Sequence, residues 1–406
     1  MNELFVYAQF DDESRRVGVL VQEDSTIKFQ YAPSWLAGGA NLSPLKLRWA
    51  ATGQQADTSV FDGLFGVFAD SLPDGWGRLI LDRALVNGGT NLNEITMLDR
   101  LAYVGSSGRG SLTYQPANPS LLDRPAIILL DELAAKSTDV LLDKDLAALP
   151  ELLRLGGSSG GARPKIHVLY NPVTGELRPD AFPAPTGFEA WIIKFSATYD
   201  PSRSAAIEYA YYQAARQAGI EMAESRLFTG KSGQQYFGTR RFDRPGEARR
   251  LHVHSLAGLV HDNFRLPALD YGHAMDATFQ LEHSVAAYRK VLRIAAFNVF
   301  AHNRDDHSNN LSFLMDEKGN WQLAPAYDLT FSRPAHGEHS LTVAGEGRRP
   351  GRSHLIKLAE HFAVANASEI LDEVWEAVQL LSQGLERLGV NKSIVTEIRR
   401  HLDTVE

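Results

Sequence analysis

The apolar residues of the first fifty positions occur in short β-type runs. Polar or turn-forming stretches separate three of these runs, LFVYAQF, RVGVLVQ and IKFQYA. Runs of this length, bounded in this way, are typical of strands. We therefore expect a small sheet at the N-terminus rather than helices.

A helix is predicted in the next informative segment, SLPDGWGRLILDRALV. Ser71 to Asp74 supply cap and turn chemistry, and a helix-compatible apolar run begins at Leu79. The later segment TYQPANPSLLDRP has three prolines and little periodicity, which indicates a linker around residues 114–125. We place a domain boundary there, so that a β-rich first domain covers residues 1–120.

Residues 121–245 read as a small β-rich lobe carrying one helix. A glycine-rich segment, LGGSSGGARPK, precedes the strand-like runs IHVLY and WIIKF, an amphipathic helix at about 204–218, and strands around SRLF and QQYFG. From about residue 251 the apolar residues recur at three- and four-residue steps, as in HSVAAYRKVLRIAAFNVFAHN. A mainly helical region, 246–406, is therefore expected, and the fold class is α+β.

Composition narrows the possible chemistry. Of the 406 residues 44% are apolar, 22% are charged and none is cysteine, which indicates a globular chain without disulfides or thiol chemistry. No stretch approaches the roughly 20 apolar residues of a membrane span, so we expect a cytoplasmic protein without a membrane partner. The net charge of −8 argues against a surface that binds nucleic acid throughout. A local basic stretch comprises Arg348, Arg349, Arg352, His354 and Lys357. A solvated surface loop is the favoured interpretation of it, ahead of a patch that binds nucleic acid.

The glycine-rich loop is the first candidate for phosphate chemistry. It runs from Gly156 to Lys165, and its glycines would let backbone N–H groups approach anionic oxygens. A flexible turn would explain the glycines equally well, because the spacing matches no standard phosphate-loop motif. Lys194 follows on the apolar strand WIIKF, where a lone charge needs a partner. Glu208, near the start of the next helix, is the predicted ion-pair partner.

The segment HNRDDHSNNLSF carries the second candidate. Asp305 and Asn310 have the separation of the kinase catalytic loop, D-x-x-x-x-N, in which the Asp accepts the proton of the substrate hydroxyl and the Asn binds metal. Asp306 is out of register, since its partner would be Leu311, and we predict a structural role for it. The spacing by itself is not specific.

Asp328, in APAYDLTFS, occupies the place of the metal-binding Asp of the kinase D-F-G motif, although the glycine is missing. The intervening LSFLMDEKGNWQLAPAY reads as a hairpin with a Lys-Gly-Asn turn. Such a hairpin would bring Asn310 and Asp328 to the same end.

Together, SLPDGWGRLILDR, SSGGARPK, RRFDR, NRDDHSNN and PAYDL resemble the HipA-type toxin kinases of bacterial type II toxin–antitoxin modules, over nearly the whole chain. The resemblance implies a protein-kinase-like bilobal fold with an additional N-terminal β-rich subdomain and a mainly helical C-terminal lobe. It also implies a serine/threonine kinase that uses ATP and Mg²⁺. In the best-studied members the targets look like aminoacyl-tRNA synthetases. The family's partner is a small helix-turn-helix antitoxin of HipB type, so any DNA contact is expected to be indirect.

Carried over by position, the resemblance makes Asp305 the proton acceptor and Asn310 and Asp328 the metal ligands. Ser158, or the adjacent Ser159, looks like the loop serine whose autophosphorylation switches the enzyme off. The implied ATP-binding residues are Gly160, Gly161, Ala162, Arg163, Pro164, Lys165, Lys194, Arg240, Arg241, Phe242, His307, Ser308, Asn309, Asn310, Tyr327 and Asp328. Arg163 and Arg240 depart from the family pattern, which leaves nucleotide affinity open.

Two other functions remain compatible with the sequence. A metal-dependent phosphohydrolase would use a cluster of potential ligands, namely His302, Asp305, Asp306 and His307 with the pair His261–Asp262. It would leave the glycine-rich loop and Lys194 unexplained. A non-catalytic kinase-like regulator that binds an antitoxin–DNA complex is the second alternative.

Overall fold

The computed structural model describes residues 1–24, 26–117, 128–158, 160–266, 268–332 and 337–402. This part of the chain divides into two compact units. The first contains Met1–Tyr199, Phe228–His254 and Leu314–Asn320, and the second contains Asp200–Leu227, Ser255–Phe313 and the chain from Trp321 onwards. The sequence-predicted boundary near residue 120 falls within 118–127, outside the described residues, as does most of the predicted linker.

The N-terminal strands predicted from the sequence are confirmed. They form an antiparallel five-stranded sheet in the order β4-β3-β2-β1-β5. Its strands are β1 (Glu3–Gln9), β2 (Ser14–Glu23), β3 (Thr26–Tyr31), β4 (Gln54–Gln55) and β5 (Leu112–Gln115). The helices of this region are α1 (Pro33–Gly38), α2 (Gly66–Ala69), α3 (Gly75–Asn87) and α4 (Met97–Val104).

A second five-stranded sheet has the order β7-β6-β8-β10-β9. Its strands are β6 (Lys165–Tyr170), β7 (Leu177–Pro179), β8 (Glu189–Lys194), β9 (Ser225–Thr229) and β10 (Gln235–Arg240). Three helices belong to the same stretch of sequence, α5 (Leu130–Leu141), α6 (Leu149–Gly156) and α7 (Ser204–Gln217). The sequence predicts one helix here, α7, so that expectation was incomplete.

One buried cluster ties the second sheet to helices on both sides of residue 120. Ile80 of α3 and Leu152 of α6 pack with Ile166 of β6 and Ile193 of β8. Burial of such side chains stabilises each by about 1.5–3 kcal/mol relative to exposure. The first unit therefore has a core that draws on the sequence before and after the predicted linker.

The rest of the chain is mainly helical, as the sequence predicts. A third sheet of short strands has the order β11-β12-β13, with β11 (His252–Ser255), β12 (Ser312–Met315) and β13 (Trp321–Leu323). The helices are α8 (Leu256–Val260), α9 (Tyr271–Glu282), α10 (Ala286–Phe300), α11 (Arg352–His361), α12 (Ala367–Gln379), α13 (Leu381–Arg387) and α14 (Lys392–Leu402).

The glycine-rich loop is shorter than the sequence suggests. Gly156 is the last residue of α6 and Gly157 caps it, so the loop begins after both. A Cβ on Gly156 would collide with the carbonyl oxygen of Lys165, so glycine lets α6 approach β6 closely. The first two glycines therefore serve packing, and the candidate phosphate loop comprises Gly160 to Lys165.

Candidate active site

The catalytic-loop candidate, residues 302–310, lies in the second unit between α10 and β12. The buried helix α10 ends at Phe300, and the loop closes with a 3₁₀ turn, Ser308–Asn310, directly before the strand. Because both flanking elements are buried, the polar loop residues are held at a fixed place by the core.

Asp305 is exposed at the tip of this loop while its backbone is fixed. Its side chain is 65% exposed, and Nε2 of His307 lies 3.7 Å from its Oδ1. The hydroxyl oxygen of Ser332 accepts hydrogen bonds from the backbone N–H groups of Arg304, at 2.7 Å, and Asp305, at 2.8 Å. A carboxylate that is solvent-accessible on a held backbone suits a group that must accept a proton from a substrate.

Asn310 is bound to the same loop. Its Nδ2 donates to the carbonyl oxygen of Asp305 at 2.8 Å. Since that bond uses the amide nitrogen, the amide oxygen is the atom suited to a metal ion. The separation D-x-x-x-x-N thus places Asn310 next to Asp305 in one closed loop.

Asp306 has the structural role predicted from its register. Its side chain is 1% exposed. It accepts hydrogen bonds from the Tyr271 hydroxyl at 2.9 Å and the Ser340 backbone N–H at 2.8 Å, and Nδ1 of His339 lies 2.9 Å from it. Burial raises the pKa of Tyr271 well above its ordinary value, and the charge of Asp306 adds to this. Asp306 therefore ties the loop to helix α9 and to the segment near residue 340.

The predicted hairpin between Asn310 and Asp328 is confirmed as β12 and β13. The Tyr327 hydroxyl donates to the carbonyl oxygen of Asn309 at 2.9 Å and lies 2.6 Å from Oγ of Ser312. These bonds hold the residue before Asp328 against the end of the candidate catalytic loop. Asp328 has a φ of 56°, in the left-handed region that non-glycine residues seldom adopt and that is often found at functional sites.

Other loop residues face different partners. Oγ of the buried Ser308 donates to Oδ2 of Asp262 at 2.5 Å, and the His307 ring packs 5.1 Å from Phe264. His302 stacks against Phe331 with ring centroids 5.5 Å apart. In the ranges that the structure describes, no three His, Cys, Asp or Glu side chains cluster so that they could hold a metal ion.

The first unit carries the candidate phosphate loop and the two lysines that the sequence predicts to bind phosphate. Lys165 and Lys194 are directly opposite each other on the antiparallel strands β6 and β8, so both side chains share one face. Lys165 Nζ donates to the carbonyl oxygen of Gly160, and Lys194 Nζ lies 5.6 Å from the ring centroid of Phe237. Two ammonium groups on opposed positions repel each other, and an anionic phosphate between them would relieve that repulsion.

Ser158 lies two residues before the candidate phosphate loop, and its hydroxyl is hydrogen-bonded. Its Oγ donates to the carbonyl oxygen of Ser107 at 2.8 Å. Ser159, the alternative site of autophosphorylation, lies outside the described residues. The remaining loop residues, Gly160, Gly161, Ala162 and Arg163, are exposed or half-buried.

The hinge candidate lies where β10 ends. Nη1 of Arg240 lies 3.2 Å from Oε1 of Glu189, and Phe242 is half-buried. Arg241 is buried, and its guanidinium contacts Asp243, Asp180 and the carbonyl oxygen of Gly108. Its backbone N–H donates to the carbonyl oxygen of Ala190 at 2.8 Å. The arginine side chain therefore anchors the turn.

Glu208 is buried in α7 of the second unit, whereas Lys194 belongs to the first. Their predicted ion pair stays a prediction. Sequence reasoning missed Ser332, Tyr271 and His339, because each acts on the loop from a distance along the chain. Asp74 lies in the motif SLPDGWGRLILDR, but the sequence does not predict its contact with Gly161 of the glycine-rich loop.

Comparison with known protein families separates the chain into two recognised parts. Residues 12–115 match the HipA N-terminal domain, and residues 157–381 match the HipA-like C-terminal domain. The second match by itself covers more than half of the chain. The chain belongs to the HipA family. This confirms the resemblance seen in the motifs.

Among curated proteins, the chain is 27% identical over 298 residues to Toxin YjjJ of Escherichia coli strain K12. That match covers 68% of this chain and 62% of the relative, so the chain spans less than two thirds of the relative's length.

Among solved structures, HipA in a complex of Shewanella oneidensis HipA, HipB and operator DNA matches with a TM-score of 0.69 at 16% identity, covering 98% of this chain and 95% of that one. The proinflammatory kinase CtkA of Helicobacter pylori matches with a TM-score of 0.37 at 13% identity, covering 60% of this chain and 96% of its own. The HipA match shows the α+β kinase-like fold.

Two of the five basic residues in the stretch near residue 348 lie against acids. Nη2 of Arg348 lies 3.0 Å from Glu338, and Nη2 of Arg352 lies 2.7 Å from Asp372. Such pairs lower the local positive charge that phosphate binding needs.

None of the helices in the described part of the chain combines the length and apolar character that a membrane crossing requires.

Proposed function

We propose that the chain is a serine/threonine protein kinase toxin that transfers the γ-phosphoryl group of ATP to a Ser or Thr hydroxyl of a protein. The placement of Asp305 carries this proposal. Its carboxylate is exposed while Ser332 and Asn310 bind its backbone, and Asn310 and Tyr327–Asp328 adjoin the same loop. Membership of the HipA family and the kinase-like fold support it.

The roles of the residues follow from the chemistry. Asp305 accepts the proton of the attacking hydroxyl, the new P–O bond forms to that oxygen, and the bond to the oxygen of the departing ADP breaks. Lys165 and Lys194 neutralise phosphate charge. Asn310 and Asp328 offer an amide and a carboxylate oxygen, a donor set that Mg²⁺ accepts when phosphates complete its shell. Bound Mg²⁺ would supply neutralisation of the charge that develops on the phosphates.

We further propose that autophosphorylation at Ser158 or Ser159 inactivates the enzyme. A phosphate on Ser158 would remove the hydroxyl donor that binds Ser107 and add about two negative charges next to a loop that must bind ATP phosphates. Both changes disfavour nucleotide binding.

The proposed cellular context follows the family. The target is a translation component such as an aminoacyl-tRNA synthetase, and the partner is a helix-turn-helix antitoxin of HipB type that provides any DNA contact. The solved Shewanella assembly contains HipA, HipB and operator DNA, which supports a partner of this kind. The acids that pair with Arg348 and Arg352 favour indirect DNA contact.

The decisive experiment is incubation of the intact protein with Mg-ATP, followed by mass spectrometry of the loop peptide. We expect one added phosphate at Ser158 or Ser159, and Asp305→Ala should abolish it because the proton acceptor is lost. Binding of ATP to the Asp305→Ala protein is the control, since the variant should keep its nucleotide site.

Other outcomes identify the alternative functions. Undiminished phosphorylation in Asp305→Ala would remove the base assignment. ATP binding without phosphate transfer, to the chain itself or to added protein, would favour a non-catalytic regulator. Release of phosphate from a monoester without ATP would favour the phosphohydrolase.

A further inference from the structure

Asp74 is an N-cap residue whose carboxylate is directed away from its own helix. It precedes α3, a helix of 13 residues, and Asp is among the best N-cap residues. Within the described residues, however, the Asp74 side chain makes no cap hydrogen bond to the first turn of α3. Its Oδ1 instead accepts a hydrogen bond from the backbone N–H of Gly161, in the candidate phosphate loop.

A second bond fixes the same pair of segments. The backbone N–H of Trp76 donates to the carbonyl oxygen of Gly161 at 2.8 Å. Both peptide groups flanking the Gly161 Cα are therefore held by residues 74–76. Trp76 is fully buried in the core of the first unit, which makes the holding segment rigid.

Glycine is required for this approach. Gly75 has a φ of 44°, and a Cβ on it would collide with the carbonyl group of Gly161. The contact explains why the sequence DGWG is placed at the start of α3, a feature that the kinase chemistry leaves unexplained. The two segments are 87 positions apart in sequence, so the contact is a tertiary one.

The donor that Asp74 uses is one that a nucleotide would need. A phosphate loop binds its ligand through backbone N–H groups, and Pro164 has none to offer. The Asp74 carboxylate resembles a phosphate oxygen in charge and in its preference for backbone N–H donors. It would also repel a phosphate placed against the same loop.

We propose that Asp74 is a built-in competitor of nucleotide, which holds Gly161 until the phosphates of ATP displace it and so sets the affinity of the loop. This inference rests on the proposed function, since it assumes that residues 160–165 bind phosphate. It gives the N-terminal HipA domain a direct role in nucleotide binding.

The test measures Mg-ATP affinity of the intact protein by titration calorimetry for the wild type, Asp74→Asn and Asp74→Ala. Both variants should bind Mg-ATP about fivefold more tightly, the order expected when one partly exposed charged competitor is lost. Asp74→Ala should gain at least as much as Asp74→Asn, because asparagine keeps a weaker acceptor. The gain should shrink in high salt.

The matched control is Asp12→Asn, which removes the same charge from an exposed turn of the first unit and should leave affinity unchanged. Unchanged or weaker ATP binding in Asp74→Ala, with a wild-type melting temperature, would overturn the inference while the kinase proposal stands. If no variant binds Mg-ATP, the proposed function fails instead.

A measurement without nucleotide tests whether Asp74 holds Gly161 in solution. Hydrogen exchange of the peptide containing residues 160–165 should be faster in Asp74→Ala than in the wild type, because the Gly161 N–H loses its acceptor. Equal exchange rates would show that the contact does not hold the loop in solution, and would also overturn the inference.

Discussion

Ser332 fixes the backbone of the candidate catalytic loop with a single hydroxyl. Its Oγ accepts from the N–H groups of Arg304 and Asp305 and donates to Oδ1 of Asn303 at 3.2 Å. Two backbone donors and one side-chain acceptor use the full capacity of a serine hydroxyl. Ser332 is therefore a positioning residue for Asp305.

Ser332→Ala should lower the rate of autophosphorylation about tenfold or more, because a shift of the base by about 1 Å costs rate steeply. The KM for ATP should change little, since the hydrogen bonds that Ser332 makes to described residues go to the candidate catalytic loop. Single-turnover kinetics with varied ATP separate the two quantities.

Ser332→Thr retains the hydroxyl and should restore most of the rate. A variant series in which alanine and threonine behave alike would show that the hydroxyl does not position Asp305. Equal loss of rate and ATP affinity in Ser332→Ala would indicate general unfolding of the loop.

At the scale of elements, the turn after β10 is anchored by a buried charge cluster of the first unit. The Asp243 carboxylate lies 2.8 Å from Arg241 and 2.7 Å from Arg244, and it accepts from the Gly110 N–H at 2.8 Å. Burial by itself would raise the pKa of Asp243, but the two guanidinium groups outweigh burial and hold the pKa well below its usual range. The RRFDR motif thus ties β10 to the loop around Gly110.

Asp243→Ala should destabilise the protein by about 3–5 kcal/mol, because it removes the buried carboxylate that both guanidinium groups contact. Urea unfolding followed by circular dichroism measures the change. Asp12→Ala, at an exposed position, is the matched control and should change stability by less than about 0.5 kcal/mol. A small change in the free energy of unfolding on Asp243→Ala would contradict this role, since it would mean that other acids or water stabilise the arginine charges.

The strands and the long helices were predictable because their apolar periodicity agrees with the burial that the structure shows. Helices α5 and α6 were missed, although Asp131 and Glu132 in a first turn and Pro150 at a helix start are ordinary helix signals. Gly156 was assigned to the loop because a glycine for a turn and a glycine for close packing look the same in sequence.

At the scale of the whole molecule, two buried histidines make stability depend on pH. Burial lowers the pKa of His167 to about 3, with the charge of Arg241 adding to it. Burial also lowers the pKa of His252 to about 3, with a smaller contribution from His254. In the unfolded chain both would titrate near 6.5.

Because folding lowers these pKa values, the unfolded chain takes up protons as the pH falls below about 6.5 and the folded chain does not until about pH 3. The stabilising contribution present above pH 6.5 is therefore lost on acidification. Each histidine should reduce the free energy of unfolding by about 2 kcal/mol between pH 7 and pH 5.

Urea titrations at pH 5 and pH 7 test this. His252→Gln can still donate to the carbonyl oxygen of Leu42, 2.9 Å from Nε2 in the wild type, and should remove about half of the combined pH effect of the two histidines. His361→Gln, at an exposed position, is the matched control. An unchanged pH dependence in His252→Gln would contradict the assignment.

The sequence by itself determined the strands, the long helices α7 and α10 and the family, and it supplied the residues on which the proposed chemistry rests. Local periodicity, cap residues and the D-x-x-x-x-N spacing are properties of neighbouring positions, and five motifs in order are specific where one is not. It also excluded Asp306 as the base, since register is a local property.

Only the tertiary structure decided which partners each polar side chain has. Three hydrogen-bonded pairs show this, Ser332 with Asp305, His339 with Asp306 and Asp74 with Gly161. Their members are 27, 33 and 87 positions apart in sequence. Nothing in the local sequence specifies such pairs, because hydrogen bonds depend on distance in space and the packing of the core sets that distance.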